Sequence, residues 1–113
     1  MKTVYVAGAY SDNNVLGVFA NMRNGMLMAA QVLKSGFAPF VPWFDYQFSL
    51  ITDHVTLEMY YNYSMAWLEK ADCVLVVEGW ENSKGVKAEI ARAEELGKPI
   101  YYDFISLVNK EKR

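Results

Sequence analysis

The chain has 113 residues, a length typical of one domain, and 53% of them are hydrophobic, enough for one substantial core. A formal net charge of -2 gives no basic field, so we expect neither a nucleic-acid polymer nor a membrane as a partner. The single cysteine, Cys73, and the single histidine, His54, provide neither a disulfide framework nor a convincing set of zinc ligands. No apolar run approaches a signal peptide or the ~20 residues of a membrane span, so we expect a cytoplasmic protein with a small-molecule ligand.

Strand-like apolar segments alternate with helical patterns along the chain, which is typical of an α/β fold with a parallel sheet and crossover helices. Pro39 places the second strand at an edge of that sheet, because proline cannot donate to a neighbouring strand. Residues 43–61 fit no element clearly and are interpreted as a lid or an irregular excursion. The predicted elements, in chain order, are a strand over Thr3–Gly8, a helix ending near Gly36, a strand over Phe37–Pro42, a helix over Leu57–Lys70, a buried strand over Asp72–Val77, a helix from Lys84, a strand over Pro99–Phe104 and a short C-terminal helix.

Unusual residues follow the predicted strands at their carboxyl ends, where open parallel sheets bind ligands. The segments are GAYS after the first strand, PWFDY after the second and EGWENSKG after the buried strand. Flat rings at these positions suit stacking on a nucleobase, although aromatic side chains also cover sheet ends without any such role. The rings expected to line one cleft are Tyr10, Trp43, Phe44, Tyr46 and Trp80.

Glu89 is the unusual acidic residue of the helix predicted from Lys84. At ~100° per residue, it falls inside an apolar arc of roughly 120° that should pack on the sheet. A carboxylate there is costly unless it borders a cavity or has partners, and the nearby helix N-terminus favours its ionised form. This setting indicates a nucleophile or an electrostatic stabiliser; the alternative is a satisfied, half-buried glutamate. The apolar residues of the arc are Val86, Ile90, Ala93, Leu96 and Gly97.

The loop NSKG, residues 82–85, immediately precedes this helix. Its serine, asparagine and glycine at a helix start form a natural cradle for an oxyanion or a phosphate. The same residues are also common helix caps, so the pattern alone is weak.

Three segments, VYVAGAYS, YSMAWLEKADCVLVVEGW and SKGVKAEIARAEELGKPI, together resemble the nucleoside 2-deoxyribosyltransferase superfamily, which includes nucleoside 5'-monophosphate N-glycosidases and small phage-type relatives. The resemblance implies a single domain over residues 1–113, flavodoxin-like or Rossmann-like, with about four to five strands. It also implies cleavage or exchange of the N-glycosidic bond of a (deoxy)nucleoside or nucleoside 5'-monophosphate without a metal or organic cofactor. The expected assembly is a homodimer or a higher homo-oligomer.

When the family's functional residues are carried over to the matching positions, the resemblance implies that Glu89 is the catalytic nucleophile that attacks the anomeric carbon. Ser83 and Gly85 match the loop that holds the 5'-phosphate in the monophosphate glycosidases. Gly8 and Tyr10 match the first-strand loop that lines the sugar and base pocket. Trp43 and Trp80 join these as expected substrate-binding residues.

The sequence departs from the family at Ser64, where relatives usually have an aspartate that contacts the substrate, and at AYSDNN, which replaces an Arg-Gly-Gly cluster. Ser64 can bind substrate through its hydroxyl but cannot act as the acid. Either Asp45, favoured because it follows the second strand, or Asp12 takes that role, or the protein binds nucleotides without turning them over. A third interpretation is an interaction domain whose aromatic-rich segment, residues 43–63, serves self-association.

Overall fold

The computed structural model describes residues 1–10 and 12–112, with the backbone alone at residues 44–46. Four parallel strands form one sheet with flanking helices, which confirms the predicted α/β fold. The elements are β1 (Thr3–Ala7), α1 (Val15–Lys34), β2 (Ala38–Phe40), a 3-10 turn (Pro42–Phe44), α2 (Asp45–Ile51), α3 (Leu57–Lys70), β3 (Cys73–Val76), α4 (Lys84–Glu95), β4 (Ile100–Tyr101) and α5 (Phe104–Glu111).

The strand order is β2-β1-β3-β4, so β2 lies at an edge of the sheet as Pro39 predicted. The chain leaves β1 towards β2 on one side and later returns to place β3 on the other side. The carboxyl ends of β1 and β3 therefore meet at the point where the strand order reverses. Open α/β sheets form their ligand crevice at this point.

Alternate residues of β1 face opposite sides of the sheet, which divides the core into two clusters. Val4 and Val6 pack with buried residues of α1 and α5. Tyr5 and Ala7 face the other side, where they pack with buried residues of α3 and α4. The sheet is thus covered by helices on both faces, and α4, the helix that carries Glu89, packs directly against the Tyr5 face.

The C-terminal strand is shorter than predicted because Asp103 begins the last helix. Its Oδ1 accepts a hydrogen bond from the backbone N–H of Ser106 at 2.7 Å, which caps α5 and makes Phe104 its first residue. The predicted strand over Pro99–Phe104 is therefore reduced to β4. The boundaries of α3 agree with the prediction, and Gly36, with φ of 95°, follows the end of α1.

The segment that the sequence left open, residues 43–61, contains the 3-10 turn, α2, a connection over residues 52–56 and the start of α3. His54 lies in that connection with φ of 64° and an exposed side chain, next to the carboxylate of Asp53. Among the described residues, no helix is both long enough and apolar enough to span a membrane.

Candidate active site

Glu89 lies on the buried face of α4, as its angular position predicted. The helix begins at Lys84 because Ser83 caps it, and the Ser83 hydroxyl oxygen accepts a hydrogen bond from the N–H of Val86 at 3.2 Å. Glu89 is 8% exposed and shares its face with Val86, Ile90 and Ala93. Leu96, which was also expected on this face, is instead the C-cap residue and is 39% exposed, because the helix ends at Glu95.

Tyr5 is the hydrogen-bond partner of Glu89. Its hydroxyl donates to Oε2 of Glu89, and the tyrosine side chain is fully buried in the centre of β1. The sequence pattern predicted Tyr5 only as a strand residue and did not indicate this role. The available signal was the phenol itself, because a buried tyrosine hydroxyl usually needs a partner.

Burial raises the pKa of Glu89 to about 7, and the hydrogen bond from Tyr5 opposes part of that rise. Desolvation is the larger cause, since it disfavours the charged carboxylate. At neutral pH the free protein therefore contains both the protonated and the ionised forms. From sequence, Glu89 was expected to be able to stay ionised near the helix N-terminus; burial instead favours its protonated form.

A cavity of about 680 Å³ opens beside Glu89 at the carboxyl ends of β1 and β3. Its volume is within the range of small-molecule sites. It brings together residues from four separate segments of the chain, and six of the nine site residues expected from sequence line it. These six are Gly8, Tyr10, Trp43, Ser83, Gly85 and Glu89.

Two of the other three expected residues, Trp80 and Ser64, are not among the described residues that line the cavity. Trp80 packs against Tyr102, with the ring centroids 5.6 Å apart, and joins the core cluster on the α3 and α4 side. Ser64 is half-buried on α3 and does not contribute to the lining. The side chain of Asp45 lies outside the described part of the chain, as do those of Phe44 and Tyr46.

Asp12 is a second carboxylate in the cavity wall. Its Oδ1 accepts a hydrogen bond from the N–H of Asn14 at 2.9 Å, which holds the side chain at the start of α1. Gly17 leaves the space that this carboxylate occupies, because a methyl group added at Gly17 would lie 2.3 Å from Cγ of Asp12. The cavity therefore has an acidic group on each of two walls, Asp12 near α1 and Glu89 on α4.

The start of α4 forms another part of the wall. Asn82, Ser83, Lys84 and Gly85 all line the cavity, so a hydroxyl, an ammonium group and helix N–H groups occur together. A methyl group added at Gly85 would have only the Ser83 hydroxyl within 4 Å, at 3.9 Å, so this side of the loop is open. Such a set of donors suits an anion.

The remaining reactive side chains of the described chain do not form a second site of this kind. Burial raises the pKa of the Cys73 thiol to about 12, so its thiolate is not available at neutral pH. No group of three or more metal-ligating side chains occurs among residues 1–10 and 12–112.

Comparison with known proteins finds one matching family model and solved structures with a similar fold. A model of DUF4406, described as a domain of unknown function, matches residues 2–102. A conserved protein from Enterococcus faecalis V583 has a TM-score of 0.67 at 18% identity, with 99% of this chain and 77% of that one covered. A 2-deoxyribosyltransferase from the psychrotolerant bacterium Bacillus psychrosaccharolyticus has a TM-score of 0.60 at 12% identity, with 95% and 80% covered. A search of curated proteins finds no match.

Both solved structures share the fold of this chain at identities too low to carry over an activity. The flavodoxin-like or Rossmann-like prediction is therefore confirmed, and so is the fold relationship to a 2-deoxyribosyltransferase.

Proposed function

The chain belongs to the DUF4406 family, a domain of unknown function, and from its site we propose that it cleaves or exchanges the N-glycosidic bond of a nucleoside or nucleoside 5'-monophosphate. The observation that carries this proposal is Glu89, a buried carboxylate that lines a cavity of about 680 Å³ at the sheet's switch point. Buried carboxylates with a raised pKa that border a cavity are typical of catalytic sites, which supports the proposal. The fold shared with a 2-deoxyribosyltransferase supports the same reaction class.

The reaction requires a nucleophile on one side of the sugar and a proton donor near the base. Breaking the glycosidic bond develops positive charge at the anomeric carbon and negative charge on the departing base. In our proposal the ionised Glu89 attacks the anomeric carbon, the carbon–nitrogen bond breaks, and the base leaves with its electron pair and a proton. Water then hydrolyses the glycosyl ester in a hydrolase, whereas a second base attacks it in a transferase.

Tyr5 tunes this nucleophile. Its hydroxyl stabilises the ionised carboxylate and fixes the orientation of Glu89 in an otherwise apolar face. As the glycosyl ester forms, the negative charge on Glu89 disappears and this hydrogen bond weakens. Tyr5 therefore increases the ionised fraction of Glu89, and the same hydrogen bond lowers the reactivity of the ionised carboxylate.

Asp12 is our candidate for the proton donor or base-positioning group. It lines the same cavity as Glu89, whereas Ser64, which takes the position of the family's aspartate, does not. Asp45, the residue favoured from sequence, remains the alternative for this role. A carboxyl group that protonates the departing base contributes typically ~10²–10⁴ in rate.

We assign the start of α4 to a 5'-phosphate. Ser83, Lys84 and Gly85 line the cavity together, and backbone N–H groups of a helix start favour an anion. A phosphate there would also fix the register of the sugar relative to Glu89. This assignment makes a nucleoside 5'-monophosphate the preferred substrate over the free nucleoside.

The direct test is base release from a panel of ribo- and deoxyribonucleosides and their 5'-monophosphates, read by chromatography for the wild type and Glu89→Gln. We expect release of free base by the wild type from at least one monophosphate and none by Glu89→Gln. Adding a second free base distinguishes exchange from hydrolysis. Release at equal rates by the two proteins would remove Glu89 as the nucleophile.

A non-catalytic nucleotide-binding protein is the second candidate, and Ser64 favours it because the family's aspartate is replaced. Such a protein would sense or sequester a nucleotide in the same cavity. It would bind a monophosphate in a calorimetric titration and release no base in single-turnover conditions. That pair of results would select binding over catalysis.

A further inference from the structure

Gly25, in the middle of α1, lies directly against the indole of Trp43. A methyl group added at Gly25 would be 2.0 Å from Cη2 and 2.2 Å from Cζ2 of that ring, so a larger side chain requires the ring to move. Glycine weakens a helix interior relative to alanine. The space that the indole of Trp43 needs therefore explains why a glycine occurs at position 25, within the 20 residues of α1.

The same ring also lies close to the end of β1. A methyl group added at Gly8 would be 3.4 Å from Cζ3 of Trp43, which is ordinary contact. The outer edge of the indole thus lies close to both Gly25 and Gly8, and the side chain is only 4% exposed. Trp43 nevertheless lines the candidate active-site cavity, as Gly8 does.

The indole nitrogen shows what holds the ring in place. Nε1 of Trp43 is buried and has no hydrogen-bond partner among the described residues. Buried tryptophan N–H groups usually donate to a partner, and that bond then fixes the ring. Within the described part of the chain, the contacts that position Trp43 are therefore packing contacts, above all those beside Gly25.

We propose that Gly25 is a positioning residue for the cavity: it seats the indole of Trp43, and the seated ring forms a fixed aromatic wall that the nucleobase of the ligand contacts. The identity of the ligand in this inference rests on the proposed function, whereas the seating of Trp43 does not. Gly25 itself does not line the cavity and acts only through Trp43. A fixed ring suits a planar base because no side-chain freedom is lost when the base binds.

The seating is tested by thermal unfolding of four proteins: wild type, Gly25→Ala, Trp43→Phe and the double variant. Gly25→Ala should lower Tm in the wild-type background, because the methyl group meets the ring. In the Trp43→Phe background the same substitution should raise Tm, because the shorter ring leaves space and alanine favours the helix. Equal Tm shifts in the two backgrounds would overturn the seating.

Fluorescence reports on the ring directly. In a Trp67→Phe, Trp80→Phe background, Trp43 is the remaining tryptophan, and Gly25→Ala should shift its emission to longer wavelength as the ring becomes exposed. Asn24→Ala is the matched control, since Asn24 is the exposed neighbour on α1. An emission maximum that Gly25→Ala leaves unchanged, or that Asn24→Ala shifts equally, would also overturn the seating.

The wall is tested by steady-state base release. Gly25→Ala should raise KM about tenfold and leave kcat within about threefold, since it removes base contacts and leaves Glu89 in place. A loss of folded protein alone would lower kcat and leave KM unchanged. Unchanged KM in a variant whose Trp43 emission has shifted would overturn the wall.

A protein without glycosidase activity can still be used to test the aromatic wall. If the wild type releases no base, calorimetric binding of a nucleoside 5'-monophosphate replaces KM in this comparison. Binding about tenfold weaker in Gly25→Ala than in wild type would support the wall for a binding protein. Equal binding by the two proteins, or none by either, would overturn it, while the unfolding cycle still decides the seating.

Discussion

The hydroxyl of Tyr5 on β1 donates a hydrogen bond to Oε2 of Glu89 on α4, and both side chains are buried in the same core cluster. Burial alone would favour the protonated carboxyl, and the phenol stabilises the ionised one. The resulting pKa of about 7 lets Glu89 change its protonation state within the physiological range. The hydrogen bond between Tyr5 and Glu89 should therefore influence the pH at which Glu89 becomes ionised.

Tyr5→Phe should raise the pKa of Glu89 further, because it removes the group that lowers it and leaves the desolvation. In the proposed function the ionised form is the nucleophile, so base release by wild type should increase with pH and level off above about 7. In Tyr5→Phe the plateau should begin at higher pH, with a several-fold lower rate at pH 7. NMR titration of carboxyl-13C glutamate measures the same midpoint without turnover.

The matched control for this substitution is Tyr61→Phe, which removes a hydroxyl from an exposed tyrosine on α3. It should leave both the rate profile and the titration midpoint unchanged. A midpoint in Tyr5→Phe that equals the wild-type value would show that the hydrogen bond does not tune Glu89.

Glu89→Gln should abolish turnover and stabilise the protein at neutral and alkaline pH. The folded pKa of about 7 lies above the ordinary value of 4.5, so the folded state binds this proton more tightly than the unfolded state. Stability from the protonated group is therefore complete below about 4.5 and is lost as pH rises through about 7. The difference between these two pKa values corresponds to a loss of at most about 3 kcal/mol in the free energy of unfolding of wild type at pH 8.

Thermal unfolding from pH 4 to pH 9 measures this effect. The stability difference between Glu89→Gln and wild type should grow between pH 4.5 and 7 and then remain constant. Glu94→Gln, an exposed substitution on the same helix, should show no such growth. A difference that is independent of pH would mean that Glu89 does not carry a shifted pKa.

Asp12→Asn should slow base release by ~10²–10⁴ with little change in ligand affinity, because the amide cannot supply a proton. The asparagine oxygen can still accept the hydrogen bond from Asn14, so the start of α1 should remain folded. Single-turnover release with one bound monophosphate measures the chemical step. Asp53→Asn, at an exposed position in the connection between α2 and α3, is the control.

The same assay distinguishes the two candidates for the acid. Slow release by Asp45→Asn together with undiminished release by Asp12→Asn would transfer the role to Asp45. Ser64→Asp should change neither rate nor affinity, since Ser64 is not among the residues that line the cavity. A gain of turnover in Ser64→Asp would instead mean that a carboxylate at position 64 can supply the acid.

Lys84→Gln should narrow the difference in affinity between a nucleoside 5'-monophosphate and its nucleoside. A charge-assisted contact to phosphate contributes roughly 1.5–3 kcal/mol. Lys84→Gln should therefore bind the monophosphate at least about tenfold more weakly than wild type does, whereas its affinity for the nucleoside should equal that of wild type. Calorimetric titrations at low and high salt measure both ligands, and the effect should shrink as salt increases.

Lys87→Gln is the control for this prediction, because Lys87 is exposed on α4 and does not line the cavity. Ser83→Gly tests the hydroxyl, and glycine preserves the helix start better than alanine would. Equal affinities of the wild type for a monophosphate and its nucleoside would remove the phosphate site and leave a nucleoside substrate.

The sequence by itself was sufficient for the order of the four strands and of α1, α3, α4 and α5, for the edge position of β2 and for the placement of Glu89 in an apolar face; it did not predict the 3-10 turn or α2. Each correct prediction depends on spacing within one segment: alternation for strands, a period of 3.6 residues for helices, and proline's missing donor. The cavity at the carboxyl ends of β1 and β3 could also be anticipated, since parallel strands bring those ends together.

Only the tertiary structure decided which side chains meet. Tyr5 and Glu89 are 84 residues apart in the chain, and no periodicity within either segment specifies that they face each other. The pattern of α1 does not show that Gly25 leaves space for the ring of Trp43, and Trp80, expected in the cavity, packs against Tyr102 instead. Such contacts follow from how helices pack on the sheet, and packing is determined by the shapes of many residues together rather than by the pattern of any one segment.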